Sequence, residues 1–201
     1  MLDKDNLIPI NANPIDLFKS WYGLASETEI NDPNAMTLST ISKLNRPSTR
    51  IVLLKSFDYQ GFVFYTNSNS KKGKSISLNK FASLNFHWKT QKKQVRIDGE
   101  VEVVNSNIAD EYFNTRPLGS KIGAWASLQS EKLSDRSLLY KRVNEVREKY
   151  KNTTVPRPLH WNGYLVKPNL IEFWHVRPDR LHDRVEFLKS ENGWESHRLF
   201  P

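Results

Sequence analysis

Residues 81–104 have the sequence FASLNFHWKTQKKQVRIDGEVEVV, which is the clearest β-hairpin pattern in the chain. In its second half every other residue is apolar or glycine, as in a strand with one face against a core. These alternating positions are Val95, Ile97, Gly99, Val101 and Val103. The sequence therefore predicts two antiparallel strands, Phe81–Trp88 and Gln94–Val104, joined by a polar turn.

Further strands are predicted on both sides of this hairpin, because turn-forming residues separate short apolar runs. They are Met36–Ser42, Arg50–Ser56, Phe62–Asn67, Trp161–Lys167, Leu170–His175, Leu181–Lys189 and Trp194–Leu199. Many short strands at this spacing favour a closed or split antiparallel barrel. Rossmann and P-loop folds are not indicated, because the sequence has neither GxGxxG nor GxxxxGK[ST].

Helices are predicted around this barrel. Asn13 and Pro14 are typical of a helix start, and the apolar residues that follow recur at helical spacing, which predicts a helix over 14–27. Shorter helices are expected at 71–79, 107–114 and 119–126, and a longer one opened by Ser134. Its predicted apolar face consists of Leu139, Val143, Val146 and Tyr150. The predicted fold class is α+β, mainly β: one split antiparallel β-barrel domain over 1–201 with flanking helices and a short flexible leader at 1–13.

Composition excludes several classes of protein. The chain has 201 residues, of which 11% are aromatic, so it is long and apolar enough to fold around a core. It contains no cysteine, which excludes disulfides, zinc-thiolate sites, iron–sulfur clusters and thiol nucleophiles. No apolar run approaches the roughly 18 residues that a membrane span needs, and the amino terminus lacks signal-peptide features. We therefore expect a cytoplasmic protein.

The positive charge is concentrated in one segment. The net charge is +8, and residues 68–98 hold eight lysines and arginines against one acidic residue. The cations are Lys71, Lys72, Lys74, Lys80, Lys89, Lys92, Lys93 and Arg96. An apolar stretch interrupts them, so they do not form the continuous basic arm of many nucleic-acid binders. Phosphorylated ligands, an anionic surface or simply a solvated basic face remain as interpretations.

Two segments of the first half carry binding chemistry. The run RIVLLK, residues 50–55, has a cation at each end of an apolar strand, which is costly in a core unless each cation meets an anion. That anion is a ligand or a salt-bridge partner. The run FYTNSNSKK, residues 64–72, places hydroxyls and two lysines at a strand-to-helix junction, where a phosphate is favoured.

Two segments of the second half add further candidates. In YFNTRPLGS, residues 112–120, a phenol, a guanidinium and a hydroxyl recur at spacings of four and suit a second phosphate. In RLHDR, residues 180–184, Arg180, His182 and Arg184 alternate and are predicted to share one strand face. The alternative for this last group is a surface strand paired with neighbouring acidic residues.

Together these motifs resemble the pyridoxamine 5′-phosphate oxidase family. From about Pro14 to Pro201 the family's order and approximate spacing are kept by RIVLLK, FYTN, KQVRIDG, YFNTRP, SKIGAW, QS and RLHDR. The resemblance implies a homodimeric split barrel with FMN at the subunit interface. It also implies oxidation of pyridoxamine 5′-phosphate and pyridoxine 5′-phosphate to pyridoxal 5′-phosphate. A hydride passes from C4′ of the substrate to flavin N5, with O2 as electron acceptor and H2O2 as product.

The resemblance also implies roles for particular residues. FMN contacts are expected from Arg50, Ile51, Val52, Leu53, Tyr65, Thr66, Lys71, Lys72, Gln94, Gln129, Ser130, Trp174 and Arg184. Substrate contacts are expected from Lys55, Tyr112, Arg116, Ser120, Arg180 and His182, of which Arg180 and His182 are the expected catalytic residues. No general base and no metal site is assigned.

The chain departs from the family pattern in two places. Lys71 stands where many members have arginine, which replaces a two-pronged donor by a point charge. The leader before Pro14 lacks the Arg/Tyr-rich segment that covers the active site in some members.

Two other functions stay open at this point. One is a flavin- or pyridoxal-phosphate-binding split-barrel protein without catalysis, since binding motifs alone do not prove turnover. The other is a nucleic-acid-binding barrel, which only the net charge and the aromatic content favour.

Overall fold

The computed structural model describes residues 7–201. The strands are β1 (Ala35–Ile41), β2 (Pro47–Leu53), β3 (Ser56–Asp58), β4 (Gly61–Asn67), β5 (Phe81–Trp88), β6 (Lys93–Val103), β7 (Trp161–His175), β8 (Asp183–Ser190) and β9 (Gly193–Arg198). The helices are α1 (Pro14–Thr28), α2 (Lys71–Leu78), α3 (Ser106–Thr115), α4 (Leu118–Ala126) and α5 (Arg136–Lys149). Within this part of the chain no helix is long and apolar enough to span a bilayer.

All nine strands belong to one antiparallel sheet. Its order is β2-β1-β5-β6-β7-β4-β3, and β8 and β9 extend it from β7. The sheet curls until β2 contacts β4, which makes a half-barrel. The predicted fold class, a mainly β split barrel with flanking helices, is confirmed.

Aromatic residues fill the inside of this curl. Helix α1 starts where predicted, because the Asn13 side chain accepts a hydrogen bond from the Ile15 amide at 2.9 Å. The helix inserts Phe18, which is fully buried and meets Phe57, Phe62 and Phe86 edge-on at ring distances of 4.9–5.1 Å. This aromatic cluster fixes α1 against the sheet.

The first predicted site strand lies three residues earlier than expected, at Pro47–Leu53 and not Arg50–Ser56. Pairing with β1 ends at Leu53, after which the Leu54 amide donates to Asn34 and the Lys55 amide to the carbonyl of Val63. The backbone therefore changes its hydrogen-bonding partner from β1 to β4 at this point, and Ser56–Asp58 forms a separate strand that pairs with β4. Lys55 lies at the corner.

Strand β7 is continuous, whereas the sequence predicted two strands separated near Pro168. A register shift between Asp98 and Gly99 on β6 admits one extra residue on β7, so the strand passes through the proline. A Cβ at Gly99 would lie 2.2 Å from the Lys167 carbonyl oxygen, which explains the glycine. A single long strand thus connects the two ends of the half-barrel.

Helix α5 also differs from its prediction. Its N-cap is Asp135, whose side chain accepts from the Ser137 amide at 2.8 Å, and not Ser134. None of its described residues is fully buried, so the rest of the described chain covers its apolar face only in part.

The described part of the predicted leader, residues 7–13, lies against β8 and β9. Ile8 is 2% exposed, its amide donates to the Asp183 carboxylate at 2.6 Å, and its carbonyl accepts from Arg198 at 2.8 Å. Residues 1–6 of that leader lie outside the described residues.

Arg157 anchors the helical segment beside the barrel. Its guanidinium pairs with Asp110 of α3 at 2.7 Å and donates to the Trp161 carbonyl at 2.8 Å. It also reaches the Ser106 hydroxyl at 2.6 Å. One buried arginine thus ties α3 to the start of β7, on the side of the barrel where the largest cavity opens.

Candidate functional site

A cavity of about 700 Å³ opens between β2, β4, α2, α3 and the loop after α4. Most of the predicted site residues line it: Arg50, Ile51, Val52, Leu53, Lys55, Tyr65, Thr66, Lys72, Tyr112, Arg116, Ser120, Gln129 and Ser130. These residues are up to 80 positions apart in sequence, from Arg50 to Ser130. The barrel curl and the α3–α4 segment bring them together.

The cavity wall is positively charged. Arg50, Lys55, Lys72 and Arg116 line it, and no aspartate or glutamate is among the described lining residues. No ion pair in the described chain involves any of these four cations. Such an unbalanced group of cations favours an anionic ligand.

Arg50 and Lys72 form one half of the charged wall. Lys72 Nζ donates to Thr66 and Gln129, both at 3.2 Å, and Arg50 donates to the Thr40 hydroxyl at 2.8 Å. All these acceptors are neutral. Burial, and secondly the charge of Arg50, lowers the pKa of Lys72, and burial lowers the pKa of Arg50.

The other half surrounds Arg116. Its guanidinium lies over the Trp161 ring at 4.7 Å, and its Nη1 is buried without a hydrogen-bond partner in the described chain. Tyr65 stacks on Tyr112 at 4.3 Å and on Trp161 at 4.9 Å. Burial lowers the pKa of Arg116. A bound anion would neutralise the Arg116 charge and accept a hydrogen bond from its unpaired Nη1.

Trp161 is a site residue that the sequence did not reveal. An apolar aromatic residue at the start of a strand has the same pattern as a core residue, and the sequence gives no other signal. In the structure the Trp161 ring lines the cavity, contacts the Arg116 guanidinium and stacks on the Tyr65 ring.

Two features of the cavity wall could not be predicted from the sequence. Lys71, expected beside the phosphate, is exposed at the first position of α2 and does not line the cavity. Ser130 has φ +73°, a left-handed conformation that is strained for a residue with a side chain.

Four of the remaining predicted site residues, Gln94, Trp174, His182 and Arg184, form a second cluster. Gln94, Trp174 and Arg184 are partners in register across β6, β7 and β8. The ring of His182 lies 4.6 Å from that of Trp174. These four residues lie close together, but they do not line the cavity.

Arg180 and His182 do not share a strand face as predicted. β8 begins only at Asp183, and Pro178–Arg180 form a 3-10 turn in which Asp179 and Arg180 have φ of +55° and +60°. This left-handed pair bends the chain after Pro178 and ends the alternation. Arg180 is exposed, while His182 Nδ1 accepts from the Arg177 amide at 3.2 Å.

The two clusters lie at opposite ends of β7. Gly163 pairs with Tyr65 of the cavity, and Trp174 pairs with Gln94 of the second cluster. These two positions are eleven residues apart along β7, which corresponds to roughly 36 Å of strand length. The described residues of the chain therefore form two separate clusters.

Fold and cavity define a split-barrel protein with a cationic ligand site. The chain belongs to the pyridoxamine 5′-phosphate oxidase family, because the family model "Pyridoxamine 5'-phosphate oxidase" matches residues 25–150. A second model, "Pyridoxine 5'-phosphate oxidase C-terminal dimerisation region", matches residues 161–201. The second cluster, apart from Gln94, lies within that dimerisation region.

Individual relatives agree with this membership. The chain is 48% identical to a pyridoxine/pyridoxamine 5′-phosphate oxidase of Acaryochloris marina over 96% of this chain and 88% of the relative. It is 51% identical to one of Caulobacter vibrioides over 94% and 85%. Among solved structures, PhzG from Burkholderia lata in complex with tetrahydrophenazine-1-carboxylic acid matches with a TM-score of 0.91 and 30% identity, covering 98% of both chains.

The cavity should bind inorganic phosphate through Lys72. At about ten times its Kd, phosphate should stabilise the protein by about 1.4 kcal/mol, which is roughly 3–6 °C in Tm for a chain of this size. The measurement is Tm with phosphate against sodium chloride of equal ionic strength. Lys72→Ala should lose most of the gain, and Lys74→Ala, exposed on the same helix, should keep it.

The increase in Tm that phosphate produces should depend on pH. A lysine cation binds an anion below its pKa, so the gain should fall as the pH rises through the lowered pKa of Lys72. Lys72→Arg should retain the gain to higher pH. An equal gain in Lys72→Ala and wild type at every pH would show that phosphate binds elsewhere.

Proposed function

We propose that the protein oxidises pyridoxamine 5′-phosphate and pyridoxine 5′-phosphate to pyridoxal 5′-phosphate with FMN as its cofactor. The observation that carries the proposal is one cavity whose described wall holds four cations and no carboxylate. We assign Arg50 with Lys72 to one phosphate position and Lys55 with Arg116 to a second. Two phosphate groups carry about −1.5 to −2 charges each near neutral pH, which matches four cations. FMN and a phosphorylated pyridine supply one phosphate each.

The first position fits the cofactor. Arg50 and Lys72 would hold the FMN phosphate, with hydroxyl and amide donors from Thr66, Gln129 and Ser130 beside them. Ile51, Val52, Leu53 and Tyr65 provide the apolar wall that a ring system needs. Lys71 remains a proposed contact from outside the cavity, where it would act through its charge alone. Bound FMN would supply the two-electron redox chemistry, with O2 as the final electron acceptor and H2O2 as its product, and water would release the amine of pyridoxamine 5′-phosphate as ammonia.

The second position fits the substrate phosphate. Arg116 offers a buried guanidinium nitrogen that lacks a partner within the described chain, and Lys55, Tyr112 and Ser120 line the same wall. The stacked rings of Tyr65, Tyr112 and Trp161 hold Arg116 in place, so little ordering is needed when the phosphate binds. These residues would fix the substrate at its phosphate end.

The second cluster would complete the site in a homodimer. Gln94, Trp174 and Arg184 would reach the partner's FMN, and Arg180 and His182 would reach the partner's substrate. The match of residues 161–201 to a dimerisation region supports this arrangement, and so does the separation of the clusters along β7. A C2 dimer would make two equivalent sites, each from both chains.

The PhzG match suggests a different substrate class, a ring carboxylic acid without phosphate, since that structure contains tetrahydrophenazine-1-carboxylic acid. The second cationic position favours a phosphorylated substrate for this chain. Dephosphorylated pyridoxamine should accordingly be a much poorer substrate than its phosphate.

The deciding experiment starts from the purified protein loaded with FMN. Pyridoxamine 5′-phosphate under air should give pyridoxal 5′-phosphate and H2O2 in equal amounts, with bleaching of the flavin absorbance when O2 is excluded. Bound FMN without either product would establish the non-catalytic alternative. A protein that binds no FMN and retains an oligonucleotide would point to the nucleic-acid-binding barrel.

Arg180 and His182 should act on the substrate and not on the fold. Because Arg180 is exposed in the turn, Arg180→Ala should leave Tm and FMN content unchanged. Loss of one charged hydrogen bond to the substrate costs about 1.5–3 kcal/mol, so kcat/KM should fall about 10- to 100-fold. His182→Ala should lower kcat/KM by a similar factor, and loss of the hydrogen bond from the Arg177 amide should lower its Tm slightly. Wild-type kinetics in both variants, or lost flavin with unchanged activity per FMN, would contradict the assignment.

A further inference from the structure

Glu172 is a buried carboxylate that the proposed function does not use. It lies on β7 and is 3% exposed. A charged side chain at such a position is costly unless it is paired. Its partners therefore indicate why it is there.

Two arginines share the Glu172 carboxylate. Oε2 accepts from Arg96 Nη1 at 2.9 Å, and Oε1 accepts from Arg184 Nε at 2.8 Å and Nη2 at 2.7 Å. Arg96 has a second carboxylate, that of Asp98, at 3.3 Å. Arg184 has Glu172 as its only carboxylate among the described residues.

These contacts fix the plane of the Arg184 guanidinium. Nε and Nη2 are held by one oxygen of Glu172, and Nη1 donates to the Phe200 carbonyl at 2.9 Å. An arginine has five N–H groups, so one on Nη1 and one on Nη2 stay available for a ligand.

We infer that Glu172 is a positioning residue for the flavin, acting through Arg184. This inference rests on the proposed function, in which Arg184 contacts the partner's FMN. The carboxylate orders the guanidinium, and with it the two remaining donors, before the cofactor arrives. Because Arg184 is already ordered, FMN binding does not have to reduce the conformational freedom of its side chain.

A purely structural role accounts less well for this arrangement. Buried ion pairs contribute little net stability compared with apolar residues of similar size. Arg96 keeps Asp98 as a partner without Glu172, and Arg184 is still 26% exposed on the face of the sheet. What Glu172 uniquely determines is the orientation of Arg184.

The test is a double-mutant cycle on FMN affinity, measured by titrating the apoprotein and following flavin fluorescence. Glu172→Gln keeps the shape of the side chain and removes its charge, and it should raise the Kd for FMN about tenfold. In an Arg184→Ala background the same substitution should change Kd less than twofold, because its effect passes through Arg184. Asp98→Asn removes a carboxylate from the same cluster without touching Arg184 and should leave Kd unchanged.

Glu172→Asp provides the conservative comparison. It retains the charge and should recover most of the affinity. If Glu172→Gln does not fold, Glu172→Met, which removes the charge and keeps a similar volume, takes its place in the cycle. An unchanged Kd in Glu172→Gln, or an equal rise with and without Arg184, would overturn the inference. Failure of the wild-type protein to bind FMN would instead overturn the proposed function.

Discussion

Four cationic side chains face one cavity without a carboxylate among the described residues of its wall, and this unbalanced charge governs the rest of the site. The folded chain tolerates it by giving Arg50 and Lys72 neutral hydrogen-bond acceptors and by stacking Arg116 on Trp161. Neither device neutralises the charge. Ligand binding and folding stability are therefore linked, because an anion bound only by the folded state stabilises that state.

The long strand β7 sets the second constraint. It carries one wall of the cavity at its start and Trp174 of the second cluster near its end. The register shift at Gly99 keeps it continuous through Pro168, so a rigid strand separates the cavity from the second cluster. Under the proposed function, oxidation of a phosphorylated substrate would depend on dimerisation. The described residues of one chain place the proposed phosphate positions and the second cluster at different ends of β7.

The sequence predicted the parts of this arrangement that follow from local pattern. Alternation identified β5 and β6, and a cap with proline identified the start of α1. Motifs retained in order identified most of the cavity wall. The alternation of Arg180, His182 and Arg184 wrongly predicted a shared strand face, because periodicity does not reveal the left-handed backbone of Asp179 and Arg180. Trp161 and Glu172 were not recognised either, since their roles arise from tertiary contacts with residues far away in sequence.

The most direct measurement of the central claim uses a dimer with two different protomers. One protomer carries Lys72→Ala in the cavity, and the other carries Arg184→Ala in the second cluster. If each site draws on both chains, one of the two sites in this heterodimer is intact and the other has both defects. It should bind one FMN per dimer with wild-type affinity, although each parent homodimer binds weakly. Two equally weakened sites per heterodimer would contradict the account, since each site would then be built from a single chain.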